Sequence, residues 1–151
     1  DTQVAEAVQA YLQAIGVKAE LRDYDGPTFM SAVYKIEQPE MDVSLLGWGP
    51  LIMDADMALY GQFTTSVYPP KGLGSAFYSN PEFDKIMEQS RLEQNTEKRK
   101  ALLVQASKIL WVDCPWLWLH VEKFVIAYNS KIQNMPVTPT EMFFPTYITM
   151  K

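Results

Sequence analysis

The segment MDVSLLGWGPLIMDADMAL, residues 41–59, decides how the chain is to be read. Val43, Leu45 and Leu46 give Met41 to Trp48 the apolar content of a strand. Gly47-Trp48-Gly49-Pro50 ends that strand sharply, because Gly and Pro favour a turn over a continuing ladder. From Asp54 to Phe63 the chain reads as a short helix.

Upstream, Val4, Val8, Tyr11, Leu12 and Ile15 recur at three- and four-residue spacing, the stripe of an amphipathic helix with Thr2 as its N-cap and Gly16 at its stop. Val17, Ala19 and Leu21 then alternate with Lys18, Glu20 and Arg22, the pattern of a half-buried strand. Gly26-Pro27 breaks the chain, and Phe29, Val33 and Ile36 mark a second short helix. Helix, strand, helix, strand is the rhythm of an α/β sheet.

Downstream, residues 64–77 are loop-like, with Pro69, Pro70, Gly72 and Gly74. Asn80-Pro81 opens a helix with Asn80 as cap and Pro81 at the first helical position, its stripe being Phe83, Ile86 and Met87. Asn95 or Thr96 caps a longer helix carrying Leu102, Leu103, Ala106, Ile109 and Leu110. Pro115 stops it before a strand, Trp116 to Val121, and a further short strand, Phe124 to Tyr128. The last twenty or so residues read as an extended tail that needs a surface to pack on.

Composition narrows the function classes. The chain has 151 residues, 48% hydrophobic and 21% charged, with a net charge of −5. This suits one soluble domain with a sizeable core. The acidic balance argues against nucleic acid as partner. One cysteine, Cys114, permits neither an internal disulfide nor a multi-cysteine metal site, and its apolar surroundings read as those of a small buried hydrophobe. No apolar run approaches the length of a membrane span. The chain opens at Asp1 rather than on an initiator methionine and reads as a piece of a longer protein.

Four phrases then go beyond the bottom-up reading. AVQAYLQAIGVKAEL (7–21), MDVSLLGWGPLIMDADMAL, FYSNPEFDKIMEQS (77–90) and KRKALLVQASKILWVDCPWLWL (98–119) stand in order and spacing that resemble the C-terminal third of the peptide/nickel (dipeptide/oligopeptide-binding, family 5) class of periplasmic solute-binding proteins of ABC importers. The resemblance runs from about Asp1 to about Tyr128. It implies an α/β fold, one lobe of a type II periplasmic-binding-protein fold with a mixed sheet flanked by helices and an extended C-terminal tail. Residues 1–120 are then a partial ligand-binding lobe, and residues 121–151 a hinge strand and tail crossing toward a second lobe. The implied protein is extracytoplasmic, periplasmic or at the cell surface. Its implied partners are a small peptide or other small solute, an ABC permease in the membrane, and the rest of its own chain.

The candidate ligand-binding residues are Trp48, Gly47, Gly49, Leu51, Asp54, Phe77 and Tyr78. Trp48 follows the C-terminal end of a strand, where open α/β sheets bind ligands, and offers stacking area with a polar N–H; the competing reading is a core tryptophan covering the strand end. Gly47 and Gly49 let backbone approach a ligand, or simply turn. At Leu51 the resemblance leads one to expect an aspartate pairing with a peptide's ammonium group. Leucine there points to another carboxylate doing that work, or to a ligand without a free amino terminus, which leaves a modified peptide, a sugar or a metal chelate. Asp54 and Asp56 are either ligand contacts or helix-capping acids. Phe77 and Tyr78 either face the ligand or pack in the core. Trp116 and Trp118 alternate with Leu117 and Leu119, which reads as a fully buried strand.

No cofactor and no resident metal are expected; a soft-metal site of methionines, Cys114 and His120 is the alternative. No Gly-x-Ser-x-Gly elbow, phosphate loop or His-Glu-x-x-His motif is present, and His120 is the single histidine. The chain is therefore expected to bind rather than transform, a carboxylate-based hydrolase being the rival class.

Overall fold

The computed structural model describes residues 2–37, 40–140, 142 and 144–151. Five α-helices carry most of the order: α1 (Thr2–Ala14), α2 (Gly26–Val33), α3 (Ala55–Phe63), α4 (Pro81–Leu92) and α5 (Thr96–Asp113). Each of the last four starts where a polar side chain meets the free amides of a first turn. Asp25 accepts from Thr28 N at 3.1 Å, Asp54 from Asp56 N at 2.8 Å, Asn80 from Glu82 N at 2.9 Å and Asn95 from Lys98 N at 3.0 Å. Gly26-Pro27, read as a break, instead forms the first turn of α2: proline's fixed φ suits that position and its missing N–H is not needed there. Gly16, at φ +85°, ends α1 as expected.

The core lies among α3, α4 and α5. Phe63, Phe83, Ile86, Met87, Ala106 and Leu110 are buried together, with Leu59, Leu102, Leu103 and Ile109 packed against them. Phe63 is its hub, meeting Phe83 edge to face at 6.5 Å, Tyr78 at 6.4 Å and Trp116 at 4.7 Å between ring centroids. The stripe read for α4 is the one it buries.

The predicted strands differ. Residues 17–22, 41–48, 116–121 and 124–128 fall outside helix and strand. A strand is defined by a ladder partner, and these segments form no ladder with any described residue. Among the described residues the sheet is one antiparallel pair in the tail, β1 (Ile132–Gln133) with β2 (Thr149–Met150), in register Ile132↔Met150. Around 116–119 the two faces diverge. Trp116 and Trp118 lie against Phe63 at 4.7 and 5.8 Å, whereas Leu117 is 71% exposed. The fully buried strand is thus corrected to a largely exposed segment that touches Phe63 through its tryptophans, Trp116 half-buried and Trp118 still 43% exposed. Val43, Val121 and Val125 are likewise exposed, so the chain presents apolar surface that its own elements leave uncovered.

Cys114 also departs from expectation. It is exposed and holds the left-handed cap of α5 at φ 48°, its N–H donating to Leu110 O at 2.9 Å. Backbone geometry, rather than burial of a small side chain, places it there.

Candidate functional site

The turn 47–53 carries five of the sequence-predicted site residues or leads straight into them. A Cβ built on Gly47 or Gly49 meets open space, so neither glycine is required by close packing within this chain. Trp48 lies against α3, its Cζ2 3.8 Å from the position a Cβ would take on Gly61, and remains 37% exposed. It is neither a core tryptophan nor a free one: one part of the ring is seated and the rest faces outward. Leu51 is 60% exposed and continues into exposed Ile52 and Met53, an apolar tip on the turn.

Asp54 closes the turn and opens α3. Besides the cap, it receives Arg99 in fork geometry: Nη2 to Oδ1 at 2.8 Å and Nη1 to Oδ2 at 3.1 Å. The Arg99 hydrogen bonds, then the Asp56 amide, hold the Asp54 carboxyl below the usual carboxylate range. Arg91 meets Asp56 in the same fork geometry, Nε to Oδ1 at 2.9 Å and Nη2 to Oδ2 at 3.0 Å. The Arg91 guanidinium lies over the Tyr60 ring, 3.3 Å from its centroid. Tyr60 Oη in turn donates to Glu88 Oε1 at 2.9 Å. Asp54 is therefore the cap of α3 and Asp56 an acid of its first turn, and both are ion-paired. Asp54, held charged by arginine, is a poor general acid, which disfavours a carboxylate-based hydrolysis resting on it.

Phe77 and Tyr78 belong to a second cluster. The loop before them is tight: a Cβ on Gly72 would stand 2.7 Å from Val67 Cα, so only glycine fits. Phe77 sits at φ 50° with its ring edge-on to Tyr68 at 5.6 Å. Tyr78 Oη donates to Asp113 Oδ2, which also accepts from Asn80 Nδ2 at 2.7 Å. Partial burial, then the Asp113 hydrogen bond, raise the Tyr78 phenol, and Tyr78 and Asn80 lower Asp113. Trp48 meets α3 at Gly61 while Tyr78 meets it at Phe63, about 200° around the helix. The structure thus gathers Gly47, Trp48, Gly49, Leu51 and Asp54 into one place and sets Phe77 and Tyr78 in another.

Two open grooves run along α5, one lined by Gln89, Leu92, Lys98 and Leu102, the other by Ala55, Arg99 and Leu103; Trp48 lines neither. Among the described residues no group of three His, Cys, Asp or Glu side chains could hold a metal, and no helix is long and apolar enough to cross a membrane. His120 Nε2 lies 3.7 Å from Glu122 Oε1 on the surface.

The arginines were missed in the sequence. Asp54–Arg99 and Asp56–Arg91 span 45 and 35 residues, and no local pattern encodes such pairs. They are partly exposed, so each stabilises by about 1 kcal/mol at most. Truncating one buried core aromatic costs about 3–5 kcal/mol. The ion pairs thus fix geometry more than they hold the fold.

Acid should loosen these contacts. Asp54 and Asp113 have depressed folded-state pKa values, so their stabilising contribution is complete above the ordinary aspartate value, about 4, and is lost as pH falls through the depressed ones. Thermal midpoints should be flat with respect to these groups between about pH 5 and 7 and fall below about pH 4. A midpoint that rises on acidification to pH 3 would contradict the pairing.

The architecture can now be set beside known proteins. The fold is that of part of a periplasmic solute-binding protein. It matches the ABC transporter-associated periplasmic binding protein DppA of Helicobacter pylori, solved with the peptide STSA, at a TM-score of 0.68 and 22% identity, over 76% of this chain and 22% of that one. HbpA2 of Haemophilus parasuis matches at 0.72 and 21%, over 99% of this chain and 28% of that one. In sequence, the chain is similar to the glutathione-binding protein GsiB of Pectobacterium atrosepticum, at 29% identity over 143 residues. The GsiB of Escherichia coli matches at the same identity. These matches cover 93% of this chain, which spans 28% of the length of those curated relatives. No family model matches the chain. The peptide/nickel-class resemblance and the one-lobe fold read from the four phrases are borne out.

Proposed function

We propose that this chain is part of the extracytoplasmic solute-binding component of an ABC importer, and that the intact protein captures a small peptide between two lobes and passes it to a membrane permease. The observation that carries this is the homology to glutathione-binding proteins along 93% of the chain. In this reading residues 1–120 contribute part of one lobe and residues 121–151 lead through the hinge. The uncovered apolar surface at Val43, Leu117, Val121 and Val125 fits a lobe that completes itself against further chain. The half-seated ring of Trp48 and the apolar tip at Leu51 would meet the ligand when the second lobe closes, closure being driven by the ligand's higher affinity for the closed state.

Leu51 bears on the ligand's chemistry. A linear peptide presents a lone ammonium group, which needs a carboxylate when desolvated. In glutathione the ammonium shares its carbon with a carboxylate, so that end carries no net charge and an apolar neighbour costs less. A γ-linked peptide of the glutathione kind is therefore the ligand class proposed. Calorimetry on the full-length protein tests the reading: one-to-one binding of reduced glutathione with a raised thermal midpoint is expected. Absence of binding to glutathione and to unmodified di- and tetrapeptides alike, or turnover of any of them, would reject it.

A substitution separates the two peptide chemistries. Leu51→Asp should raise affinity for unmodified dipeptides by about tenfold, the equivalent of a partly solvated ammonium–carboxylate pair. The site is exposed here, so the added charge meets no burial cost within this chain. No gain would mean that the amine is met by another group.

A further inference from the structure

We propose that Arg99, with Arg91 beside it, is a positioning residue for Trp48: the two arginine–aspartate forks fix the turn 47–53 against α3 and so set where the indole stands. The inference rests on the proposed ligand-binding role of Trp48, but its geometric half stands on contacts within this chain. The turn has few anchors of its own. Gly47 and Gly49 touch nothing at their Cβ positions, and Leu51, Ile52 and Met53 are exposed. Its fixed points are the Trp48 contact at Gly61 and the Asp54 cap, with Asp54 N donating to Ile52 O at 2.8 Å.

Both fixed points are gripped from the helices behind. Arg99, on α5, takes both oxygens of Asp54. Arg91, on α4, takes both oxygens of Asp56 and covers the ring of Tyr60, the residue before the glycine on which Trp48 rests. A planar fork on a carboxylate restricts direction as well as distance, which a single-point lysine contact does not. Two such forks on residues 54 and 56 orient the first turn of α3 relative to α4 and α5. The turn that ends at Asp54 is oriented with it. A ring seated in advance loses less freedom on binding, which is how a remote ion pair reaches affinity.

The test uses the full-length protein labelled with 5-fluorotryptophan, the Trp48 signal being assigned by its loss in Trp48→Phe. Asp54→Asn keeps a capping side chain but weakens the fork, and Arg99→Gln weakens the fork but keeps the cap. Each should shift or broaden the Trp48 fluorine signal in the ligand-free protein while the Trp116 signal stays in place. Each should also weaken binding of reduced glutathione by about tenfold, with the double variant no worse than either single, because one coupled unit is lost once. Arg99→Lys should fall between Arg99→Gln and the parent.

An unmoved Trp48 signal overturns the inference, as does a moved signal with unchanged affinity, or a double variant whose losses multiply. If the parent protein binds no glutathione, the functional reading falls by itself. The fluorine signal then still decides the positioning role, for it when Trp48 alone responds and against it when it does not.

Discussion

Phe83→Ala is expected to destabilise the helical core by about 3–5 kcal/mol, the cost of removing a fully buried aromatic ring and leaving a cavity that its surroundings only partly fill. Phe83 has no exposed surface, and its ring meets Phe63 at 6.5 Å and Tyr78 at 5.9 Å, both edge to face. Losing it removes transfer free energy and two aromatic pairings together. It also removes the contact that docks α4 on Phe63 of α3, so the helices bearing Arg91 and Asp56 should loosen together. Denaturant midpoints, with hydrogen exchange on the amides of α4 and α5, read the effect. Phe83→Leu, which keeps much of the volume, should cost about half as much. A loss under about 1 kcal/mol for Phe83→Ala would mean that the three-helix core described here is not what stabilises this part of the molecule.

Phe83 also shows what could be read in advance. The Asn80-Pro81 start and the Phe83, Ile86, Met87 stripe are local signals, and they correspond to the observed cap and the buried face of α4. The same holds for Leu102 to Leu110 on α5. Strands are different. The alternation of Val17, Ala19 and Leu21 reports which side of an extended segment is apolar, but a ladder needs a second backbone, which a pattern within one segment cannot announce. At Trp116–Leu119 the alternation says which residues share a face, and the tryptophans are the ones that touch Phe63, but with both faces apolar it does not say how far either is buried, and Trp118 stays 43% exposed. Cys114 stands exposed at the left-handed end of α5, a backbone position that the apolar residues around it in sequence do not announce. The site was legible in part. Gly47 to Pro50 could be located as a turn from their glycines and proline, although no strand precedes them, and the capping role of Asp54 from its place before a helix. The arginines that meet Asp54 and Asp56 arrive from other helices and are visible only once those helices are packed.

In the full-length protein Trp48→Ala should weaken ligand binding by roughly 10- to 100-fold, the range in which a central aromatic contact falls, with little loss of stability. The two halves of that expectation come from one observation: Trp48 is 37% exposed, its ring seated at Cζ2 on Gly61. Truncation therefore removes stacking surface without opening a closed cavity, unlike Phe83. Trp48→Phe should recover part of the affinity, since a smaller ring keeps a face but loses the N–H and some area. Calorimetry with reduced glutathione and a thermal midpoint on the same sample separate the two readings of this residue. Lost affinity with a kept midpoint makes Trp48 a ligand contact. Kept affinity with a midpoint lowered as far as in Phe83→Ala makes it a cover for the end of its segment, and the ligand must then be held elsewhere on the lobe. The second outcome would also remove the reason for Arg99 to orient the turn, so the two tests constrain each other: an indole that does not touch the ligand has no position for an arginine to tune.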